Sequence, residues 1–371
     1  MLGGRDAGWI GGSRVPVDEA AFLRLVRGEA KGPLAGSARL GLGGLSAGYR
    51  LGMAARNVAF DRGWKATQRV GIPVVSIGNI TLGGTGKTPA VEWVARWCRA
   101  RGLRAAILSR GYGDQARTGL NDEGRVLEEN LPDVPHLQGK DRVALARLAE
   151  EELASEVLIL DDGFQHRRLG RDLDVVLLDA LDPFGLGRVF PRGLLREPVG
   201  SLRRAGVVVM SRADLVDEGA RRAIRARAER AAGPLRWAEA RHAPLDLVDS
   251  KGQAYPLADL DGRRVAAFCG IGNPEGFRRT LANLGVEPAE FVAFPDHHAY
   301  TGADIKALAD RVRASGADLA LTTQKDLVKV RAGLLGSAPL RALRIGWDLL
   351  DGRDAIEGAL AAVVDRPRAG G

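Results

Sequence analysis

Fourteen residues beginning at Ser76 restrict the fold of this chain more than any other stretch. In Ser76-Ile-Gly-Asn-Ile-Thr-Leu-Gly-Gly-Thr-Gly-Lys-Thr-Pro89, an apolar strand pattern runs into Gly83, Gly84 and Gly86. Lys87 and Thr88 follow, and then a helical pattern carrying Val91, Val94 and Cys98. Glycines let successive backbone N–H groups turn inward around phosphate oxygens, and the N-terminus of the next helix adds partial positive charge. Gly83, Gly84, Thr85 and Gly86 would form the cradle. Lys87 would reach the β- and γ-phosphates of a nucleotide, and the Thr88 hydroxyl would ligate Mg²⁺. Pro89 falls in the first helical turn, where its missing N–H matters little. The general GxxxxGK[ST] form has Gly where Thr81 stands here, so the match is to a GGTGKT variant. A bland Gly-rich turn is the alternative. The order strand, three-glycine turn, Lys-Thr, helix favours phosphate binding over it.

A loop of this kind needs a parallel sheet around it, and the flanking pattern supplies one. Strand candidates are Pro73–Ile77, Arg104–Leu108, Val157–Leu160, Asp174–Leu178 and Val207–Met210, with helical stretches between most of them. That alternation predicts a doubly wound, mostly parallel α/β sheet. Between Leu235 and Ala266 the pattern breaks into short extended pieces at Pro244, Gly252, Pro256 and Gly262, which suits a hinge or linker ribbon. A second βα series follows at Val265–Phe268, Phe291–Ala293, Leu319–Leu321 and Leu343–Ile345. Thr301-x-x-Asp304 has the form of a capping box opening one of its helices. The expected organisation is a P-loop domain over 1–234 and a second, smaller α/β domain over 235–371, joined by a β-ribbon hinge.

The net charge is +8, which favours an anionic partner. Residues 1–70 hold 11 basic and 5 acidic side chains, so most of the excess sits there and the remainder is near neutral. With only 5% aromatic residues and no aromatic–basic interleaving, a nucleic-acid groove is not expected. Cys98 and Cys269 are far apart and form neither a disulfide framework nor a CxxC knuckle. No apolar run approaches the ~18 residues of a spanning helix, and Met1–Gly12 lacks a signal-peptide core. Residues 44–66 read as a helix with Leu45, Tyr49, Met53 and Phe60 broadly on one side and Arg50, Arg56, Arg62 and Lys65 among them. A basic helix on a membrane surface and a helix packed on the domain with a solvated basic face are both open.

Val157-Leu-Ile-Leu-Asp161-Asp162-Gly163 is an apolar strand ending in two carboxylates, the place of a Walker-B acid that holds Mg²⁺. Asp179, after the next strand, is a rival. Arg110 in Ser109-Arg-Gly-Tyr-Gly113 stands where ligands bind at the carboxyl edge of an open sheet; phosphate contact and a structural turn are both open. Ser211-Arg-Ala-Asp214 faintly echoes a guanine-reading NKxD box. Phe294-Pro-Asp296-His297-His298 reads as a metal site, an acid–base group or a polar turn, and no Cys/His cluster completes a zinc site. Thr322-Thr-Gln-Lys325-Asp326 is equally open.

In combination and in this order, Val75-Ser-Ile-Gly-Asn79, Gly83-Gly-Thr-Gly-Lys-Thr-Pro89, Ser109-Arg-Gly-Tyr-Gly113, Asp161-Asp-Gly-Phe-Gln-His166, Leu195-Arg-Glu-Pro198, Phe294-Pro-Asp-His297 and Thr322-Thr-Gln-Lys-Asp326 resemble the tetraacyldisaccharide 4′-kinase family, from about Leu45 to about Ile345. The resemblance implies two α/β domains around a cleft. It also implies ATP and Mg²⁺, and γ-phosphoryl transfer to the 4′-hydroxyl of an acylated glucosamine disaccharide 1-phosphate. It further implies a monomer in peripheral contact with the cytoplasmic face of the inner membrane through an N-terminal amphipathic helix. By the resemblance, Lys87 and Thr88 are the phosphate-loop Lys and magnesium-binding Thr. Asp122, in Asn121-Asp122-Glu123, is the base, and His297 pairs with it. Asp161 and Asp162 are the Walker-B pair. Glu197 is implied near the metal, and Glu123, Arg142 and Arg196 near the acceptor. The segment 184–196 departs from the family pattern at Leu186, Arg192 and Leu194. A P-loop NTPase switch without a lipid acceptor is the runner-up, and it has no need of Asp122 and His297. A membrane-surface adaptor without catalysis is third, and intact Lys87, Thr88, Asp161 and Asp162 speak against it.

Overall fold

A computed structural model describes residues 19–111 and 122–366. Its strands are β1 (Val74–Asn79), β2 (Ala105–Ser109), β3 (His136–Gln138), β4 (Val157–Asp161), β5 (Leu173–Asp179), β6 (Val207–Ser211), β7 (Trp237–Val248), β8 (Ala254–Tyr255), β9 (Val265–Cys269), β10 (Glu290–Ala293), β11 (Leu319–Thr323), β12 (Leu334–Leu335) and β13 (Ala338–Asp351). Its helices are α1 (Glu19–Arg27), α2 (Pro33–Asp61), α3 (Lys87–Ala100), α4 (Asp122–Asn130), α5 (Arg142–Glu151), α6 (Glu218–Ala232), α7 (Pro274–Asn283), α8 (Gly302–Ala314), α9 (Gln324–Val330) and α10 (Arg353–Val364).

One sheet runs through the molecule in the order β10-β9-β11-β13-β7-β6-β5-β1-β4-β2-β3. β3-β2-β4-β1-β5-β6-β7 pair in parallel, and so do β10-β9-β11-β13. The two parallel halves join at a single antiparallel seam, β7 against β13. The central strands β1, β5 and β6 are buried along their whole length. That is why they read as continuous Val/Ile/Leu runs and not as alternating patterns.

The seam corrects one expectation. Where short extended pieces were expected after Leu235, β7 is a continuous 12-residue strand running through Pro244. Pro is accommodated because the ladder slips there: Asp246 pairs with Arg344 but Pro244 pairs with Ile345, so Leu245 is the extra residue of a bulge. β13 likewise reaches far beyond the expected Leu343–Ile345, spanning 14 residues. At its end Gly352, at φ 69°, turns the chain into α10. Ile356, Ala359, Leu360 and Val363 then join the core built by Val175, Leu177, Val207 and Val209, so residues 353–364 pack on the first half. The capping box at α8 forms as expected, with the Thr301 hydroxyl and the Asp304 carboxylate bonding each other's backbone N–H.

α2 begins eleven residues before the expected helix and contains no buried residue. It is tacked to the body through polar contacts. Ser46 Oγ donates to the Val189 carbonyl at 2.7 Å and accepts from Arg192 N at 2.8 Å. Arg167 donates to the Asn57 carbonyl at 3.0 Å and pairs with Asp61 at 2.7 Å. Arg192, one of the departures from the family pattern, also donates to the Val26 carbonyl of α1 at 3.0 Å. Leu186, another departure, adopts φ 61°, a left-handed conformation that a branched side chain takes at a cost of roughly 1–2 kcal/mol.

Candidate active site

The loop between β1 and α3 has the backbone a phosphate cradle needs. Gly83 and Gly86 lie at φ 105° and 82°, where side chains are disfavoured. No side chain caps the first turn of α3, so its leading N–H groups are left for a ligand. Thr85 and Thr88 are buried, and the Thr85 hydroxyl has no partner among the described residues.

The acidic pair arrives by strand register. β4 lies beside β1 with Asp161 opposite Ile77, and the turn after it packs hard on β1. A Cβ on Gly78 would stand 2.6 Å from the Phe164 Cβ. Asp162 takes φ 50° and gathers the cations of the site. Lys87 Nζ is 3.5 Å from its Oδ1, and Arg196 Nη1 donates to both of its oxygens at 3.0 and 2.8 Å. Buried Arg142 donates to its carbonyl at 3.2 Å. Burial alone would raise the Asp162 carboxyl, but Lys87, Arg196 and Arg142 hold it below the ordinary range. Asp161 goes the other way. Burial, reinforced by the Glu123 and Asp162 charges, pushes it up to about 6 against the pull of Lys87 and Arg142. Its Oδ1 is buried and finds no partner among the described residues. Asp179, the rival acid, is bound by Arg212.

Arg196 reaches this cluster because its segment zips against the approach to the loop. Leu82 N donates to the Leu194 carbonyl and Arg196 N to the Ile80 carbonyl, both at 2.7 Å. Glu197, one residue on, is fully buried. Arg204 holds both of its oxygens at 3.0 and 3.1 Å, and Asn57 of α2 adds a bond at 3.2 Å. A metal at Glu197 would compete with Arg204.

The second half meets the first at Glu123. Lys325 Nζ, on α9, donates to Glu123 Oε1 at 2.7 Å. Burial would raise the Glu123 carboxyl, but Lys325, then Lys87 and His297, outweigh it and hold it low. His297 itself sits at φ 57°, its N–H donating to Asp296 Oδ1 at 3.0 Å and to the Gly270 carbonyl at 3.2 Å. Asp122 opens α4 next to Glu123; its side chain lies outside the described residues, as do Asn121, Tyr112 and Gly113. Behind Glu123 the halves share a buried amide pair, with Asn130 and Gln324 exchanging bonds at 3.2 and 2.9 Å and Asn130 also donating to Glu92 at 2.8 Å. Lys87, Asp162, Arg142 and Arg196 are thus joined by direct contacts, and Glu123 and His297 by charge.

Residues without a sequence-based role also touch the loop. Ser211 and Arg212, read only as a faint nucleotide box, bond its carbonyls, and His242 packs on Gly86. The position of Ser211-Arg212 after a strand of the same sheet was the available signal. For His242 on the seam strand there was none.

The family profile LpxK, tetraacyldisaccharide-1-P 4′-kinase, matches residues 38–364. A tetraacyldisaccharide 4′-kinase of Anaeromyxobacter dehalogenans is 45% identical over 353 residues, covering 90% of this chain and 93% of that protein. One of Syntrophus aciditrophicus is 38% identical over 311 residues, covering 76% and 82%. The crystal structure of LpxK from Aquifex aeolicus in complex with ATP superposes with a TM-score of 0.69 at 29% identity, covering 88% of this chain and 99% of that one. This chain belongs to the tetraacyldisaccharide-1-P 4′-kinase family.

Proposed function

We propose that the chain transfers the γ-phosphoryl group of ATP to the 4′-hydroxyl of a tetraacyldisaccharide 1-phosphate. The observation that carries this reading is the meeting at Glu123 of two sets of groups: Lys87 and Asp161 from the phosphate-loop half, Lys325 and His297 from the other. A nucleotide switch uses only the first set. An enzyme that must deprotonate an acceptor beside the γ-phosphate uses both. The names and coverage of the relatives support the same acceptor.

In this reading the loop N–H groups and Lys87 bind the phosphates and offset charge on the moving phosphoryl group. Asp122, carried on the first residue of α4, accepts the hydroxyl proton, and His297 shares its charge. Arg142 and Arg196 orient the anionic acceptor. The Thr88 hydroxyl and the orphaned Asp161 Oδ1 are hard oxygen donors that fit Mg²⁺, which binds through a few protein oxygens together with substrate phosphates. That fits the lack of a three-ligand His/Cys/Asp/Glu cluster among the described residues. Bound Mg²⁺ would neutralise phosphate charge.

The acceptor is a lipid, and α2 is the element suited to meet its membrane. Leu34, Leu40 and Leu51 are 86%, 80% and 70% exposed and Trp64, just beyond the helix, 71%, with Arg50, Arg62 and Lys65 nearby. Apolar and basic residues exposed together favour an anionic membrane surface. Contact is peripheral and on the cytoplasmic face of the inner membrane, where ATP is supplied. Among the described residues no helix is long and apolar enough to cross a membrane.

The test is transfer of labelled γ-phosphate from Mg·ATP to tetraacyldisaccharide 1-phosphate in detergent micelles. The wild-type chain should give a bis-phosphorylated lipid, and Lys87→Ala should lower kcat by at least about 100-fold, the loss typical when a charge-stabilising donor is removed. Hydrolysis of ATP with no lipid product would sink the reading in favour of the switch.

A further inference from the structure

The phosphate loop is held from its outer side by groups with no part in the chemistry above. Ser211 Oγ, at the end of β6, donates to the Thr85 carbonyl at 2.9 Å. Arg212 Nη2 donates to the Gly84 carbonyl at 3.1 Å. The guanidinium is itself fixed by Asp179, from the neighbouring strand β5, through a pair of bonds of which Nε to Oδ1 measures 2.9 Å. Arg212 adopts φ 55°, an uncommon conformation for a residue with a side chain, and one that brings it to the loop. His242, on the seam strand β7, presses on the third residue. A Cβ on Gly86 would stand 2.2 Å from its Nε2 and 2.6 Å from its Cε1. That Nε2 is buried and has no hydrogen-bond partner among the described residues.

These contacts explain more than packing. A phosphate cradle works only when consecutive N–H groups converge, which requires the carbonyls between them to face away. Two consecutive carbonyls, of Gly84 and Thr85, are pinned outward by Arg212 and Ser211, and the ring of His242 closes the remaining side at Gly86. Gly86 is therefore constrained twice, by its left-handed φ of 82° and by the imidazole. Because β7 pairs with β13 across the seam, with His242 opposite Trp347, the third contact links the loop to the junction of the halves.

We propose that Ser211, Arg212 and His242 are positioning residues that clamp the outer side of the phosphate loop and hold Gly84–Gly86 in the nucleotide-binding conformation. The proposal rests on the reading of this loop as the ATP site and not on the identity of the acceptor. Its test therefore uses nucleotide binding by the full chain, titrated calorimetrically with Mg·ATP, beside the KM for each substrate. Arg212→Ala should weaken ATP binding and raise the KM for ATP by about 10-fold or more, the loss of a hydrogen bond from a charged donor, while the KM for the lipid stays unchanged. Arg212→Lys, which keeps a donor, should recover part of it. A variant that merely loses folded protein would lower apparent kcat with the KM for ATP intact. His242 is tested by pairing it with the glycine it touches. Gly86→Ala should abolish ATP binding, and Gly86→Ala with His242→Gly should restore a measurable part, the rest being lost to the strained φ. If Arg212→Ala binds ATP like the wild type, or if His242→Gly gives Gly86→Ala no recovery, the clamp is overturned. Wild-type ATP binding without lipid phosphorylation would instead count against the acceptor and leave the clamp standing.

Discussion

At the scale of single residues, adjacent groups of one type are set apart by their surroundings. Asp161 and Asp162 are neighbours in sequence, yet one is pushed up to about 6 by burial and like charges while the other is held low by Lys87 and Arg196. The sequence shows two carboxylates after a strand. It does not show that Arg196, 34 residues on, returns to hold one of them, because that depends on a pairing of irregular segments with no periodic signature. Histidines give a measurable consequence. Burial drives His242 from 6.5 down to about 4, with Arg212 adding to the shift. A group whose pKa falls on folding contributes stability above its unfolded value and loses it as pH drops toward the folded one. The wild type should therefore lose stability between pH 6.5 and 4, and His242→Gln should make that slope shallower in urea titrations across the window. An unchanged slope would show that His242 is not buried neutral.

At the scale of elements, most of the first half was legible because its strands are central and apolar: five expected strands matched five observed ones to within a residue or two at each end. β3 was missed because it is a three-residue edge strand. β7 and β13 were under-read because their burial follows neither a continuous apolar run nor a regular alternation, and their pairing is interrupted by a Pro-containing bulge. α2 was foreseen as a helix with two open readings, and its exposed leucines favour the membrane one. Leu40→Asp with Leu51→Asp should lower cosedimentation with vesicles containing anionic lipid several-fold and leave Mg·ATP affinity unchanged, since neither side chain is buried. Unaltered cosedimentation would assign those leucines to some other contact.

At the scale of the molecule, two parallel half-sheets are joined, and the proposed chemistry draws on groups from both. The seam makes one continuous sheet, and α10 returns to brace the first half, a connection no local pattern announces. The halves also meet through Asn130, Gln324 and Glu92, a buried polar cluster at which each amide satisfies another. Asn130→Ala would leave Gln324 without its buried partner and should destabilise the protein by about 1–3 kcal/mol, the usual penalty for an orphaned buried polar group, as read from chemical denaturation. The candidate site residues legible from sequence were those at the ends of regular elements, namely Lys87 and Thr88 at the start of α3 and Asp161 and Asp162 at the end of β4. His297, supplied from across the seam, could be linked to them only through a family resemblance, and the contact of Lys325 with Glu123 was not foreseen at all. The claim that most needs testing is that these two sets act on one acceptor. Phosphorus NMR of the lipid product formed from Mg·ATP and tetraacyldisaccharide 1-phosphate addresses it directly. One new phosphomonoester, coupled to the proton at the 4′ carbon, is expected from the wild type and should be lost in Lys87→Ala and His297→Ala. A phosphate at any other position, or a product that forms equally well without His297, would contradict it.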